Sequence, residues 1–166
     1  RYPVVEATCG LMTACVIAGH GLGPTGLALA GLAWVLLTLA LIDFDTQYLL
    51  DEITLPTIWA GILVNYFGLV TTLGSAVIGA VAGYLSFWSI FWVFKLLTGK
   101  DALGYGDFKL LALLGAWLGW EALPLIIMLS SLVGAVAGAI MIARGRDTTR
   151  PISFGPYLAM AGFVAM

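Results

Sequence analysis

GYGDFKLLALLGAWLGW, residues 104–120, is the stretch on which the fold turns. Two glycines flank a tyrosine, an aspartate and a lysine follow, and then comes an apolar run too short to cross a bilayer comfortably. The 13 residues from 108 to 120 make a straight helix of about 20 Å, against a hydrocarbon core about 30 Å thick. This element is expected to be partly re-entrant, covered by protein, or thinning the bilayer locally. An aspartate at its mouth is costly there unless it is solvated, paired or useful.

The rest of the chain explains why bilayer is the relevant solvent. Of 166 residues, 61% are hydrophobic and 10% charged, with a mean hydropathy of +1.06, more apolar surface than a soluble domain of this length can hide. Further apolar segments lie near 4–19, 24–42, 54–70, 75–97, 122–143 and 152–166. All are read as helices, because in lipid only helices and closed barrels satisfy the backbone. The expected fold is an all-α, polytopic transmembrane bundle of six to seven segments, forming one domain over 1–166. Pro24, Pro56 and Pro124 are placed at helix starts, where a missing N–H costs little. The chain opens with Arg-Tyr-Pro and stops at Met166 within an apolar run, so it is expected to be a piece of a longer protein.

Charge placement sets the orientation. If alternate loops lie on opposite sides, Arg1, Lys95, Lys100, Lys109, Arg144, Arg146 and Arg150 all fall on one side and the other receives no lysine or arginine. The positive-inside rule makes the basic side cytoplasmic. The short fifth segment must count as a crossing for this split to hold. Asp43, Asp45, Asp51, Glu52, Asp101 and Asp107 belong to the same face.

Several features read as packing or solvation. Gly79 with Gly83, Gly115 with Gly119 and Gly134 with Gly138 allow close helix approach. The FWSIFWVF run at 87–94 suits an interfacial and packing surface. Cys9 and Cys15 face lipid or core and show no metal or disulfide spacing. His20 is read as a solvated loop residue, Glu6 as a carboxylate at a helix start with a secondary substrate contact as the alternative, and Lys109 as a boundary lysine reaching the headgroups rather than one acting on the charge of Asp107. No ligand set of metal-binding spacing is visible, and nothing suggests a nucleic-acid partner.

The carboxylates carry the chemistry. LTLALIDFDTQYLLDEITLP (37–56) ends one helix with Asp43 and Asp45, and Asp107 opens another. If their helices are neighbours, two carboxyls meet at one boundary and cannot easily both be ionised. The ionised member then takes a proton from a water while the protonated member bonds to a peptide carbonyl. Gly104 and Gly106, lacking a Cβ, leave room for an extended substrate backbone beside Asp107, or serve simply as turn glycines. A proton-coupled transporter, an intramembrane protease cutting deeper in its substrate and a noncatalytic assembly subunit are the competing readings. Carboxyls at one boundary rather than at the midplane argue against a transporter.

These stretches resemble the bacterial type IV prepilin leader peptidases, membrane aspartic proteases of the GxGD class. The likeness runs through RYPVVE (1–6), LIDFDTQYLLDEITLP (41–56), FWSIFWVFKLLTGKDALGYGDFKLLALLGAWLGW (87–120), LSSLVGA (129–135) and PISFGPYLAMAG (151–162). Gly104-Tyr105-Gly106-Asp107 matches the family's GxGD, so the resemblance implies catalytic aspartates at Asp107 and Asp43, with Asp45 and Asp51 as rivals for the first. Leu50-Asp51 stands where the family commonly has Pro-Asp. The resemblance further implies a multi-pass protein of the bacterial inner membrane, with its site at the cytoplasmic face. Its reaction would be cleavage of the basic leader from type IV prepilins or type II secretion pseudopilins, with no cofactor for the peptidase step. Many members also carry an upstream zinc-binding region and N-methylate the new terminus using S-adenosylmethionine, which is expected here only of a longer parent chain. The acidic loop 43–52 is expected to attract the basic leader.

Overall fold

A computed structural model of the protein describes residues 2–99, 104–143 and 153–166. They form helices α1 (Tyr2–His20), α2 (Pro24–Thr46), α3 (Asp51–Tyr66), α4 (Leu73–Thr98), α5 (Tyr105–Leu118), α6 (Leu123–Ala143) and α7 (Gly155–Val164), with a 3-10 turn at Trp120–Ala122 before α6. There is no strand among the described residues. The helix α1, the helix α2, the helix α4 and the stretch Trp120–Met141 are long and apolar enough to cross a membrane. Helices α3, α5 and α7 are shorter, at 16, 14 and 10 residues.

Local chemistry explains the boundaries. Pro24 opens α2, where its locked φ and absent N–H suit the first turn. Thr72 caps α4 by accepting the Ser75 N–H at 3.2 Å, and Gly99 ends it in the left-handed region at φ 70°. Pro124 is the second residue of α6, as expected. Pro56 differs: it lies inside α3, which starts at Asp51. Asp51 and Glu52 occupy the first turn, where carboxylates favour the helix dipole, so the helix begins before the proline. The bond Pro56 forfeits is to the carbonyl of Glu52, an exposed residue. His20 is likewise the last residue of α1 rather than part of a loop, its Nδ1 lying 3.3 Å from the Val16 carbonyl oxygen.

Of the three ways a short fifth segment can sit in a bilayer, α5 takes the second: it is covered by protein. Asp107, Phe108 and every residue from Leu110 to Trp117 are buried, with α4, α3 and α7 around them. Two devices bring the neighbours close enough. A Cβ on Gly115 would lie 2.1 Å from the Gly79 carbonyl oxygen, and one on Gly79 would lie 2.3 Å from the Gly115 carbonyl oxygen, so α4 and α5 touch backbone to backbone. Against α3, the Trp117 ring lies over Gly61 and its indole N–H donates to the Thr57 carbonyl at 2.8 Å.

A short buried helix must also satisfy the polar groups at its ends. Asn65 of α3 donates to the carbonyls of Ala116 and Trp117 at 2.9 and 3.0 Å, while its oxygen accepts the N–H groups of Val70 and Thr71. At the other end, the Asp107 carboxyl accepts the Gly104 N–H at 3.2 Å.

The helices alternate in direction. The turns at 21–23, 67–72 and 119–122 share one end of the bundle: Thr25 donates to Leu69 O, and Ser75 to Glu121. The turn at 47–50, the start of α5 and the start of α7 share the other, together with Lys95 and Lys109. Arg1, Lys100, Asp101, Arg144, Arg146 and Arg150, which figure in the charge argument, lie outside the described residues. The aromatic run at 87–94 divides by face: Phe87 and Phe91 are buried, whereas Trp88 and Trp92 are exposed.

Candidate active site

Asp43 sits in the last turn of α2. The helix stops just beyond it because Gln47 takes the left-handed conformation, φ 56°, and returns its N–H to the Asp43 carbonyl at 2.8 Å. The chain then turns inward so that Leu49 is buried. Asp107 lies in the first turn of α5. Both aspartates are almost fully buried, at 5% and 7% exposure, and they are close enough for the Asp43 charge to act on Asp107.

The other acids near this end are placed differently. Asp45 is exposed. Asp51 is paired with Lys109, whose Nζ lies 2.6 Å from both carboxylate oxygens. Lys109 therefore binds a carboxylate of α3 instead of reaching the headgroups, and links the start of α3 to the start of α5. In the 43–52 stretch Asp43 is buried, Asp51 is paired with Lys109 while partly exposed, and Asp45 and Glu52 are exposed. Asp43 and Asp107 are both buried at this end, near enough for the charge of one to act on the other.

The flanking glycines have distinct surroundings. Beside Gly104, among the described residues, the Asp107 carboxyl alone comes within 4 Å of where a Cβ would stand. Beside Gly106 that space is filled by Leu49, 2.8 Å away, so a substrate chain lying there would have to displace this leucine. Tyr105 between them is exposed, its ring against Phe91 and Phe108.

A third segment meets the site. Ser153 donates a hydrogen bond to the Asp43 carboxylate, and a Cβ on Gly155 would lie 2.3 Å from the same oxygen. Sequence reasoning gave neither residue a role. They stand 110 positions or more from Asp43, and spacing alone links nothing at that range; the only available hint was a serine and a glycine just before the proline that opens an apolar segment. Leu49, Asn65 and Trp117 were missed for the same reason. Among the described residues, no three His, Cys, Asp or Glu side chains gather where a metal could be held.

What this arrangement can do chemically is limited and specific. Two buried carboxyls within electrostatic range can share one proton, accept a proton from water and donate one to a carbonyl oxygen.

Comparison with known proteins adds an independent line. The model of the type IV leader peptidase family matches residues 30–139. Prepilin leader peptidase/N-methyltransferases from Aeromonas hydrophila and Pseudomonas aeruginosa are each 53% identical over the whole chain, and one from Burkholderia pseudomallei is 49% identical over 98% of it. The chain spans 58% of the length of the first two and 53% of the third. No solved structure matches.

Proposed function

The chain belongs to the type IV leader peptidase family, and from that premise we propose that it is a membrane aspartic endopeptidase that removes the basic leader from type IV prepilins or type II secretion pseudopilins. The observation that carries the proposal is that Asp43 and Asp107 are both buried at one end of the bundle, within electrostatic range of one another.

The chemistry follows from the pair. Two buried carboxyls brought together around a substrate share a proton, because both ionised would repel in a poorly solvated site. The ionised one takes a proton from a water, and the oxygen so activated attacks the scissile carbonyl carbon. The protonated one donates to the carbonyl oxygen as it becomes tetrahedral. As this intermediate collapses, one of its hydroxyls returns a proton to the dyad, the C–N bond breaks, the amine leaves with a proton from the dyad, and the new carboxylic acid of the leader ionises to solvent. The pair ends with one proton, as it began, so no cofactor is needed for the peptidase step. Apparent pKa values seen in kinetics would belong to the dyad as a unit.

The position of the site supports the rest of the reading. Its end of the bundle carries Lys95 and Lys109 and is the basic side in sequence, hence cytoplasmic. A substrate whose leader is basic and whose following segment is an apolar helix presents its border at that depth. We place the protein in the bacterial inner membrane accordingly, with lipid around α1, α2, α4 and α6. Gly104 offers the open backbone along which an extended substrate could lie; Gly106 would do so once Leu49 moved. The names of the relatives also carry N-methyl transfer, which we attribute to a longer parent chain.

The test is to incubate a prepilin with membranes containing the protein expressed in full, and to locate the cut by mass spectrometry. Cleavage between the basic leader and the apolar helix is expected. No cleavage, or a cut deep within the apolar helix, would overturn the proposal.

A further inference from the structure

We infer that Ser153 and Gly155, at the start of α7, are positioning residues that hold the Asp43 carboxyl in the orientation peptide hydrolysis requires. This rests on the reading of Asp43 as one of the two catalytic carboxyls.

Asp43 needs such support because of where it stands. It lies in the last turn of α2, where the helix dipole disfavours negative charge, and it is almost fully buried. The bond from Gln47 satisfies its main-chain carbonyl and does nothing for the carboxyl. Ser153 supplies what is missing, donating its hydroxyl proton to Oδ2. A donor aimed at a carboxylate both stabilises it and fixes the plane in which its free oxygen points.

Gly155 acts on the same oxygen by a different means. A Cβ at that position would fall 2.3 Å from Oδ2 and 2.9 Å from Cγ of Asp43. The carboxyl is thus wedged between a hydroxyl and a bare Cα, in a slot that only glycine leaves open. The corner itself is held by Phe154, whose ring packs edge-on against Phe87 of α4 and Tyr157 of α7 and abuts Gly134 of α6. Three helices thereby fix the segment that aims the aspartate.

These contacts separate a positioning role from a purely structural one. The obstacle an alanine at 155 would meet is the mobile end of a side chain, so the fold can yield there by turning the carboxyl aside. Gly155→Ala is therefore expected to melt as wild type yet cut slowly. Removing the Ser153 hydroxyl leaves the packing intact but frees the carboxyl to rotate.

The experiment measures kcat and KM for prepilin cleavage in membranes containing the full protein, with thermal stability followed in parallel. Ser153→Ala is expected to lower kcat by about tenfold with KM unchanged, as for loss of a hydrogen bond to a charged group, and Ser153→Thr to restore it. Gly155→Ala is expected to lower kcat by roughly 100-fold, the usual consequence of displacing a reacting group by about 1 Å. Wild-type kcat in Ser153→Ala, while Asp43→Asn is inactive, would overturn this inference and leave the proposed function standing. Equal losses in Ser153→Ala and Ser153→Thr, accompanied by lower melting temperatures, would also overturn it. Retained cleavage in Asp43→Asn would overturn both.

Discussion

Replacing Gly115 by alanine adds one methyl group at the point where α5 touches α4, and the structure says how much must give. The new Cβ would stand 2.1 Å from the Gly79 carbonyl oxygen, which belongs to backbone and cannot swing aside. A carbon and a carbonyl oxygen rest at no less than about 3.3 Å, so the two helices must part locally by about 1.2 Å. Overpacking of this kind costs about 1–3 kcal/mol, and the rigid obstacle puts this case toward the upper end. The lost contacts include those of Ala112 and Leu111 with Gly83, one turn nearer the site. Because α5 is a single rigid element beginning at Tyr105, its displacement carries Asp107 with it and reduces cleavage as well as stability. Gly79→Ala presses on the same interface from the other side, with a Cβ 2.3 Å from the Gly115 carbonyl oxygen. The double variant is therefore expected to lose less than the sum of the two singles. Thermal unfolding in detergent, paired with cleavage rates in membranes, reads both effects. A Gly115→Ala protein as stable and as active as wild type would refute the backbone contact between α4 and α5, and with it the account of how a 14-residue helix is covered.

Other expectations follow from particular contacts. Asn65→Leu removes two donors to α5 carbonyls and one acceptor for two N–H groups, and should destabilise by about 2–4 kcal/mol in the same unfolding assay, since each orphaned buried group costs about 1–3 kcal/mol before relaxation. The Lys109–Asp51 pair is partly exposed, at 28% and 44%, so a double-mutant cycle should give a coupling under about 1 kcal/mol that shrinks with added salt. If the acidic 43–52 stretch attracts a basic leader, the apparent affinity for peptides of different leader charge should converge as salt rises, and a spread unchanged by salt would sink the idea.

Much of the architecture was legible in the sequence because membrane helices announce themselves by composition. Among the described residues the seven apolar segments correspond to seven helices, with the ends of α2 and α4 off by only a few residues, because a bilayer leaves the backbone few choices. The start of α3 was misjudged because proline was weighed above two acidic residues that also favour a helix N-terminus. The fifth segment was seen to be too short, but which of three solutions it adopts depends on Gly79, Gly83 and Gly61, whose partners lie tens of positions away. The same holds at the candidate site. Asp107 stood out through its glycines and Asp43 through its place in an apolar run, whereas Ser153, Gly155 and Leu49 become visible only when α7 and the 47–50 turn are brought against them. Lys109 was misread for that reason too: its partner Asp51 sits 58 positions away, on another helix.

The central claim is that Asp43 and Asp107 together activate water, and the most direct measurement is prepilin cleavage by Asp43→Asn, Asp107→Asn, Asp45→Asn and Asp51→Asn variants of equal abundance and verified insertion. Asparagine keeps the size and much of the hydrogen bonding but cannot take the proton. The account predicts that cutting is lost in the first two and persists in the last two. Persistent cutting by Asp107→Asn or Asp43→Asn would contradict it.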